Sequence, residues 1–153
     1  MHSDLIIRPY RIEDVFQIRV RDEQIEFHRS HRGLMDYAIS IANGYMPITV
    51  TTIDNEIVLI GGLIPLYLDN AEGFFLLSDT FEHHYLKNAL LLTKSIKKYI
   101  IRSPFNRIQT TVKQDFAKAE KFVKLLGLEK EGCLRKGGWD KKDLYIYGWV
   151  RNV

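Results

Sequence analysis

The sequence predicts an α/β fold of the α+β type: a mixed central β-sheet of about six to seven strands with helices on both faces. Three observations lead there. Strand-like and helix-like hydrophobic patterns alternate along the chain in the order β-α-α-β-β-β-α-β-α-β-β. The long helical stretch Tyr85–Ile101 lies between an apolar strand pattern ending at Leu77 and another at Arg107–Val112. A helix that joins two strands of one sheet makes a right-handed crossover, so this pair is expected to be parallel. No internal repeat or linker interrupts the 153 residues, which are read as a single domain, 1–153, around one core.

Leu5–Pro9 reads as a short apolar strand ended by proline. Ile12-Glu13-Asp14-Val15 opens a helix with acidic residues in its first turn, and the polar segment Arg21–Arg32 is read as its continuation up to Gly33. Leu34–Asn43 is a second helix, with Gly44 placed just past its C-terminus. Strands follow at Ile48–Ile53, Glu56–Ile64 and Gly73–Leu77; Asp54-Asn55 is a hairpin turn, while Pro65 and Asp69-Asn70 act as breakers. After the long helix and its strand, Asp115–Leu126 is a helix closed by Gly127. Two strands end the chain, Leu128–Lys136 and Asp143–Val150, joined by Gly137-Gly138-Trp139-Asp140. The glycines of that link suit positive φ. In the last strand Leu144, Ile146 and Gly148 are expected to face opposite to Tyr145, Tyr147 and Trp149, and an exposed Tyr147/Trp149 patch would argue for a partner.

With 46% hydrophobic and 27% charged residues the composition is that of a folded domain and excludes wholesale disorder. The net charge of +3 is carried mostly by the second half, where Lys94, Lys97, Lys98 and Arg102 form a helical stripe. Such a stripe is most often a solvated face and less often an anion or nucleic-acid site. One cysteine, Cys133, excludes an internal disulfide and suits a reducing compartment; it is read as a small core or edge residue. The first residues show no signal-peptide pattern, and no apolar run is long enough to span a bilayer, so a soluble, cytoplasmic protein is expected.

Several short motifs carry a resemblance. Ile7-Arg8-Pro9 with Glu13-Asp14 stands at the start. Ala119-Glu120-Lys121-Phe122-Val123-Lys124-Leu125-Leu126-Gly127-Leu128, followed by Glu131-Gly132, Leu134-Arg135 and Asp143-Leu144-Tyr145, stands at the end. In this order they resemble the GNAT superfamily of acetyl-CoA-dependent acetyltransferases along nearly the whole chain. The resemblance implies a sheet splayed between its fourth and fifth strands, with the cofactor held by the strand-to-helix turn after the fourth.

That turn departs from the family. No glycine occurs between Gly73 and Gly127. Where the family resembles Val-x-Pro-x-x-Arg-Gly-x-Gly-x-Gly, setting its following leucines on Leu90 and Leu91 puts Leu77 at the valine and Asp79 at the proline. Glu82 then falls on the arginine, and His83, Tyr85 and Lys87 on the glycines. Wrapping a pyrophosphate needs bare backbone N–H groups and tolerates no acid beside them, so Glu82, His83, Tyr85 and Lys87 form a degenerate cofactor loop. Val123 also stands where many members carry a tyrosine that protonates the departing thiolate.

A narrower resemblance is to the GNAT-like internal virion or assembly proteins of tailed bacteriophages. It rests on Asp22-Glu23-Gln24-Ile25 and on Leu76-Leu77-Ser78-Asp79 followed by His83-His84 without glycine. It implies a non-catalytic virion-associated, assembly or host-interaction protein in the host cytoplasm or the virion. Such a protein needs no cofactor, takes a protein partner or a second copy, and has no call on nucleic acid. The alternative is an active N-acetyltransferase that moves an acetyl group from acetyl-CoA to a small-molecule amine, using N–H groups of residues 83 to 88 and Lys87. No catalytic residue stands out. Asp79 is a candidate general base or a helix N-cap, and Tyr145 a candidate acid or a sheet-packing residue. Asp22, Glu23 and Glu26 line a pocket or a solvated face. His83-His84 lacks a third ligand at metal spacing, so no metal is expected.

Overall fold

A computed structural model describes residues 5–20, 33–138 and 140–152. In chain order its elements are β1 (Leu5–Pro9), α1 (Asp14–Gln17), α2 (Leu34–Ala42), β2 (Tyr45–Thr52), β3 (Ile57–Pro65), β4 (Asn70–Leu77), α3 (Phe81–Arg102), β5 (Arg107–Lys113), α4 (Ala117–Leu125), β6 (Glu129–Leu134) and β7 (Leu144–Val150). The strands form one seven-stranded sheet in the order β1-β2-β3-β4-β5-β7-β6. β1–β2, β2–β3, β5–β7 and β6–β7 are antiparallel. β4 and β5 are parallel, as their helical crossover requires. Their ladder has the rungs Asn70↔Arg107, Ala71↔Ile108 and Glu72↔Gln109. It stops there, while β4 continues to Leu77 and β5 to Lys113, which marks the expected splay between the fourth and fifth strands.

The chain divides into two compact units, Met1–Ile64 with Phe74–Leu92, and Pro65–Gly73 with Thr93–Val153. In the first, Val15, Ile18, Ala38, Ile41, Ile57, Ile60 and Leu76 make the core, with Tyr10, Tyr37 and Phe74 packed against it. β3 is buried along Ile57–Leu63, which is why it reads as an unbroken apolar run rather than an alternating one. A polar anchor sits beside this core. The Asp14 carboxylate, 2% exposed, accepts two bonds from the Arg8 guanidinium at 2.8 Å, one from the Thr49 hydroxyl at 2.7 Å and one from the Arg11 N–H at 2.9 Å.

Two expectations for this unit fail. The first helix ends at Gln17 because Ile18 turns extended (ψ 134°) and is drawn into the core. Val20 then bridges Ser78 at the end of β4, so tertiary pairing overrides the helical pattern; residues 21–32 lie outside the described residues. Gly44 does not take the left-handed conformation expected after α2. What requires glycine there is space, since a Cβ would lie 2.9 Å from the Leu63 carbonyl oxygen.

In the second unit Ile108, Thr110 and Val112 alternate inward from β5, and Phe105, Phe116, Phe122, Val123, Leu126 and Leu128 fill the core. α4 closes as the sequence predicts. Gly127 has φ 97°, its N–H donates to the Lys124 carbonyl, and the Leu128 N–H donates to the Val123 carbonyl. These two bonds are the paired closure of a Schellman turn, and they bring Leu128 into the core. A Cβ on Gly127 would meet nothing within 4 Å, so the requirement is conformational alone. Gly127→Val is expected to lower stability by about 1–2 kcal/mol in urea titration, the cost of a left-handed L-residue, whereas Gly127→Asn should be milder.

β7 lies between β5 and β6. Its Tyr147 is fully buried, with the hydroxyl donating to the Glu120 carboxylate on α4. The condition of an exposed Tyr147/Trp149 patch is therefore not met, since Tyr147 lies under α4. In the β6–β7 link, positive φ falls on Lys136 (54°) and Lys141 (63°) rather than on Gly137 and Gly138. The reason is that the link is two successive turns, one closed by Gly137 N–H to Leu134 and one by Lys141 N–H to Gly138; Trp139 lies outside the described residues.

Candidate functional site

The turn singled out by its missing glycines begins at the buried end of β4, where Leu76, Leu77 and Ser78 are 1–2% exposed. The Asp79 N–H donates to the Arg19 carbonyl at 2.7 Å, and its carboxylate, 39% exposed, pairs with the Arg19 guanidinium at 3.1 Å. Thr80, not Asp79, holds the N-cap position, since its carbonyl accepts the first helical bond, from His84 N–H at 3.3 Å.

From Phe81 onward the chain is helix, four residues before the expected start. Phe81 is buried and its ring stacks on Tyr85 at 5.3 Å, an i,i+4 pair that fixes the first turn. The expectation of a loop over Glu82, His83, Tyr85 and Lys87 is thus corrected: all four sit in α3. Past the first turn a helical N–H is committed to the carbonyl four residues back, beginning with His84 to Thr80, so Tyr85 and Lys87 do not stand in a loop whose N–H groups could wrap a pyrophosphate. The helix then kinks at Asn88, whose backbone is non-helical (φ −126°, ψ 20°) and whose side-chain amide donates to the His84 carbonyl at 3.1 Å.

Side chains from another element gather on this head of α3. The Thr80 hydroxyl donates to one oxygen of Glu56 at 2.6 Å, and His84 Nε2 lies 3.7 Å from the other. Ser78 Oγ is 3.3 Å from Thr80 Oγ1, and the His83 and His84 rings meet edge-on at 5.3 Å. The sequence pattern puts the cap at Asp79 rather than Thr80, and it carries no signal for Glu56, which arrives from just before β3, 24 residues away in sequence.

The other sequence candidates lie in the second unit. Val123, 3% exposed, is a core residue of α4. Tyr145 is half-buried, with the Lys130 ammonium 3.5 Å from its ring centroid. Tyr147 is buried, and burial, then its bond to Glu120, push its ionisation well above the ordinary tyrosine value. A phenol held that way gives up its proton poorly and serves packing. Cys133 is exposed on β6, and Lys94, Lys97, Lys98 and Arg102 are exposed on α3. Asp22, Glu23 and Glu26 lie outside the described residues. Among the described residues no three or more His, Cys, Asp or Glu side chains group to hold a metal, and no helix is long and apolar enough to cross a membrane.

No protein-family model matches the chain, and no curated protein matches it. Solved structures do match. Ard1 from Thermoplasma volcanium is similar at a TM-score of 0.74 and 13% identity, over 98% of this chain and 99% of that one. A chimera of the spermidine N-acetyltransferase SpeG from Vibrio cholerae with hSSAT gives 0.71 and 16%, over 97% and 96%. A GNAT-family acetyltransferase from Bacillus anthracis gives 0.68 and 15%, over 98% and 96%. At these identities the likeness shows the fold: this chain has the GNAT acetyltransferase fold along its whole matched length.

Proposed function

We propose that the chain is an N-acetyltransferase that takes its acetyl group from acetyl-CoA and delivers it to an amine. The observation that carries this reading is the end-to-end likeness to acetyltransferases, with both chains covered almost in full. The parallel β4–β5 pair and the helix start directly after β4 are present at the place where the family holds its cofactor. In this reading Asp79 is the candidate base and Tyr145 the candidate acid. Acetyl-CoA would supply an activated thioester. The residues at the head of α3 do not fit a wrapped pyrophosphate, because the segment is helical and Glu82 lies in its first turn.

That misfit favours a second reading. With the segment helical and Val123 buried at the position of the usual acid, the scaffold would serve without catalysis. It would then be a phage-type virion or assembly protein that binds a protein partner or a second copy. Fold alone does not choose between the two.

Calorimetric titration with acetyl-CoA does. A charge-assisted hydrogen bond contributes roughly 1.5–3 kcal/mol, and 1.4 kcal/mol is about tenfold. With several such bonds unmade, the expected dissociation constant is on the order of hundreds of micromolar or weaker. The helix start favours an anion by about 0.3–1 kcal/mol and an exposed acid opposes it by a similar amount. Glu82→Arg is therefore expected to tighten binding by roughly tenfold. No heat at millimolar acetyl-CoA from either protein would make the non-catalytic reading the leading one.

A further inference from the structure

We infer that residues 81–87 are a hinged lid, held in helical form by Glu56. Both ends of the segment are built for this. At the far end Asn88 breaks the helical backbone, so the stretch before it is a separate short helix rather than a continuation of Ala89–Arg102. At the near end Thr80 and His84, one turn apart, both meet the carboxylate of Glu56, at 2.6 Å and 3.7 Å, from outside the helix. Phe81, 3% exposed, anchors the first residue in the core, while His83, Leu86 and Lys87 are exposed. A helix of this length is marginal in water even with its Phe81–Tyr85 pair, and Glu56 clamps its cap residue and a side chain one turn on from outside.

The consequence is a two-state element. In the latched state the head of α3 is helical and the Glu56 carboxylate holds the Thr80 hydroxyl and the His84 imidazole. In the released state residues 82–87 uncoil about Asn88, freeing backbone N–H groups, the Thr80 hydroxyl and His84 together. The released state is the one that can meet an anionic ligand. For its ligand the inference rests on the acetyl-CoA reading; for its motion it does not.

The test uses the whole chain with Glu56→Ala and Glu56→Gln. Amide hydrogen exchange should speed up at residues 82–87 by at least tenfold in Glu56→Ala, with exchange in β3 and α4 unchanged. Glu56→Gln keeps an acceptor for Thr80 and should fall between Glu56→Ala and wild type. In parallel, acetyl-CoA should bind Glu56→Ala at least several-fold more tightly than wild type. Unchanged exchange at 82–87 in a folded Glu56→Ala protein overturns the latch. Faster exchange with no gain in affinity, where wild type does bind acetyl-CoA, overturns the lid's role in admitting the ligand but not the acetyltransferase reading. If neither protein binds acetyl-CoA, that reading fails, and the latch stands or falls on the exchange rates alone.

Discussion

Asp14→Ala is expected to destabilise the protein by about 3–5 kcal/mol, the usual consequence of stripping one partner from a buried ion pair. The carboxylate is 2% exposed and is met by Arg8, the Thr49 hydroxyl and the Arg11 N–H. Thr49 is itself fully buried, so truncation leaves its hydroxyl without this acceptor, while the Arg8 guanidinium, 21% exposed, loses its carboxylate and keeps the Pro9 carbonyl. Urea unfolding of Asp14→Ala, Arg8→Ala and the double variant would measure this; the double variant should cost clearly less than the sum. Burial pushes the Asp14 ionisation up, but the bonds from Arg8, Thr49 and Arg11 outweigh it and hold the group below the ordinary value of 3.8. A carboxyl lowered in the folded state contributes fully above that value and loses its contribution as pH falls through the lowered one. The gap between wild type and Asp14→Ala should accordingly shrink as pH is taken below 3.8. A gap that is flat down to pH 2, or a loss under about 1 kcal/mol at neutral pH, would sink the assignment.

Arg151→Ala is expected to cost about 2–3 kcal/mol. Its guanidinium reaches back 46 to 50 residues to the end of α3, donating to the carbonyls of Ile101 at 3.0 Å, Ser103 at 2.8 Å and Phe105 at 3.0 and 3.3 Å. Ile101 in the last turn and Ser103 just past it lie at the negative end of the helix dipole, and Phe105 follows in the link to β5, so a planar cation with a fixed fork of donors suits this group of carbonyls. Lysine offers a point charge instead, and Arg151→Lys should recover less than half of the loss. The guanidinium carbon also lies 5.1 Å from the Trp149 ring centroid. Tryptophan fluorescence of the folded state should shift in both variants, and an unshifted spectrum with unchanged stability would refute the role.

The fold was legible wherever a local signal repeats. Alternation and turn residues located every strand to within a few residues, and the crossover rule set the direction of β4 against β5. Gly127 was legible because a left-handed residue closing a helix is a local demand. What escaped was set by distant partners. The first helix stops at Gln17 because Ile18 and Val20 are claimed by the core and by β4. Tyr147 is buried because a strand between two others has no free face under a helix, which alternation alone does not reveal. At the candidate site, the absence of glycine identified the turn, yet not its conformation. Bulky residues were read as side chains obstructing a loop, whereas Phe81 and Tyr85 make it a helix. Glu56 and Arg19 come from other elements and carry no local signature.

The two compact units are interleaved in sequence, and this bears on how the chain can be made or cut. The first is complete once residue 92 has been synthesised; the second contributes residues 65–73 early and needs the final strands to finish. During synthesis Asn70–Glu72 therefore wait for Arg107–Gln109, more than thirty residues later, before their ladder can close. At typical elongation rates the interval is seconds, during which this edge of β4 is without its β5 ladder. For the same reason no single cut leaves both units intact. A break after residue 92 keeps the first unit's residues together but parts Pro65–Gly73 from Thr93–Val153, and a break before residue 65 keeps the second unit's together but strips the first of Phe74–Leu92, so each cut leaves one complementary fragment without a whole unit.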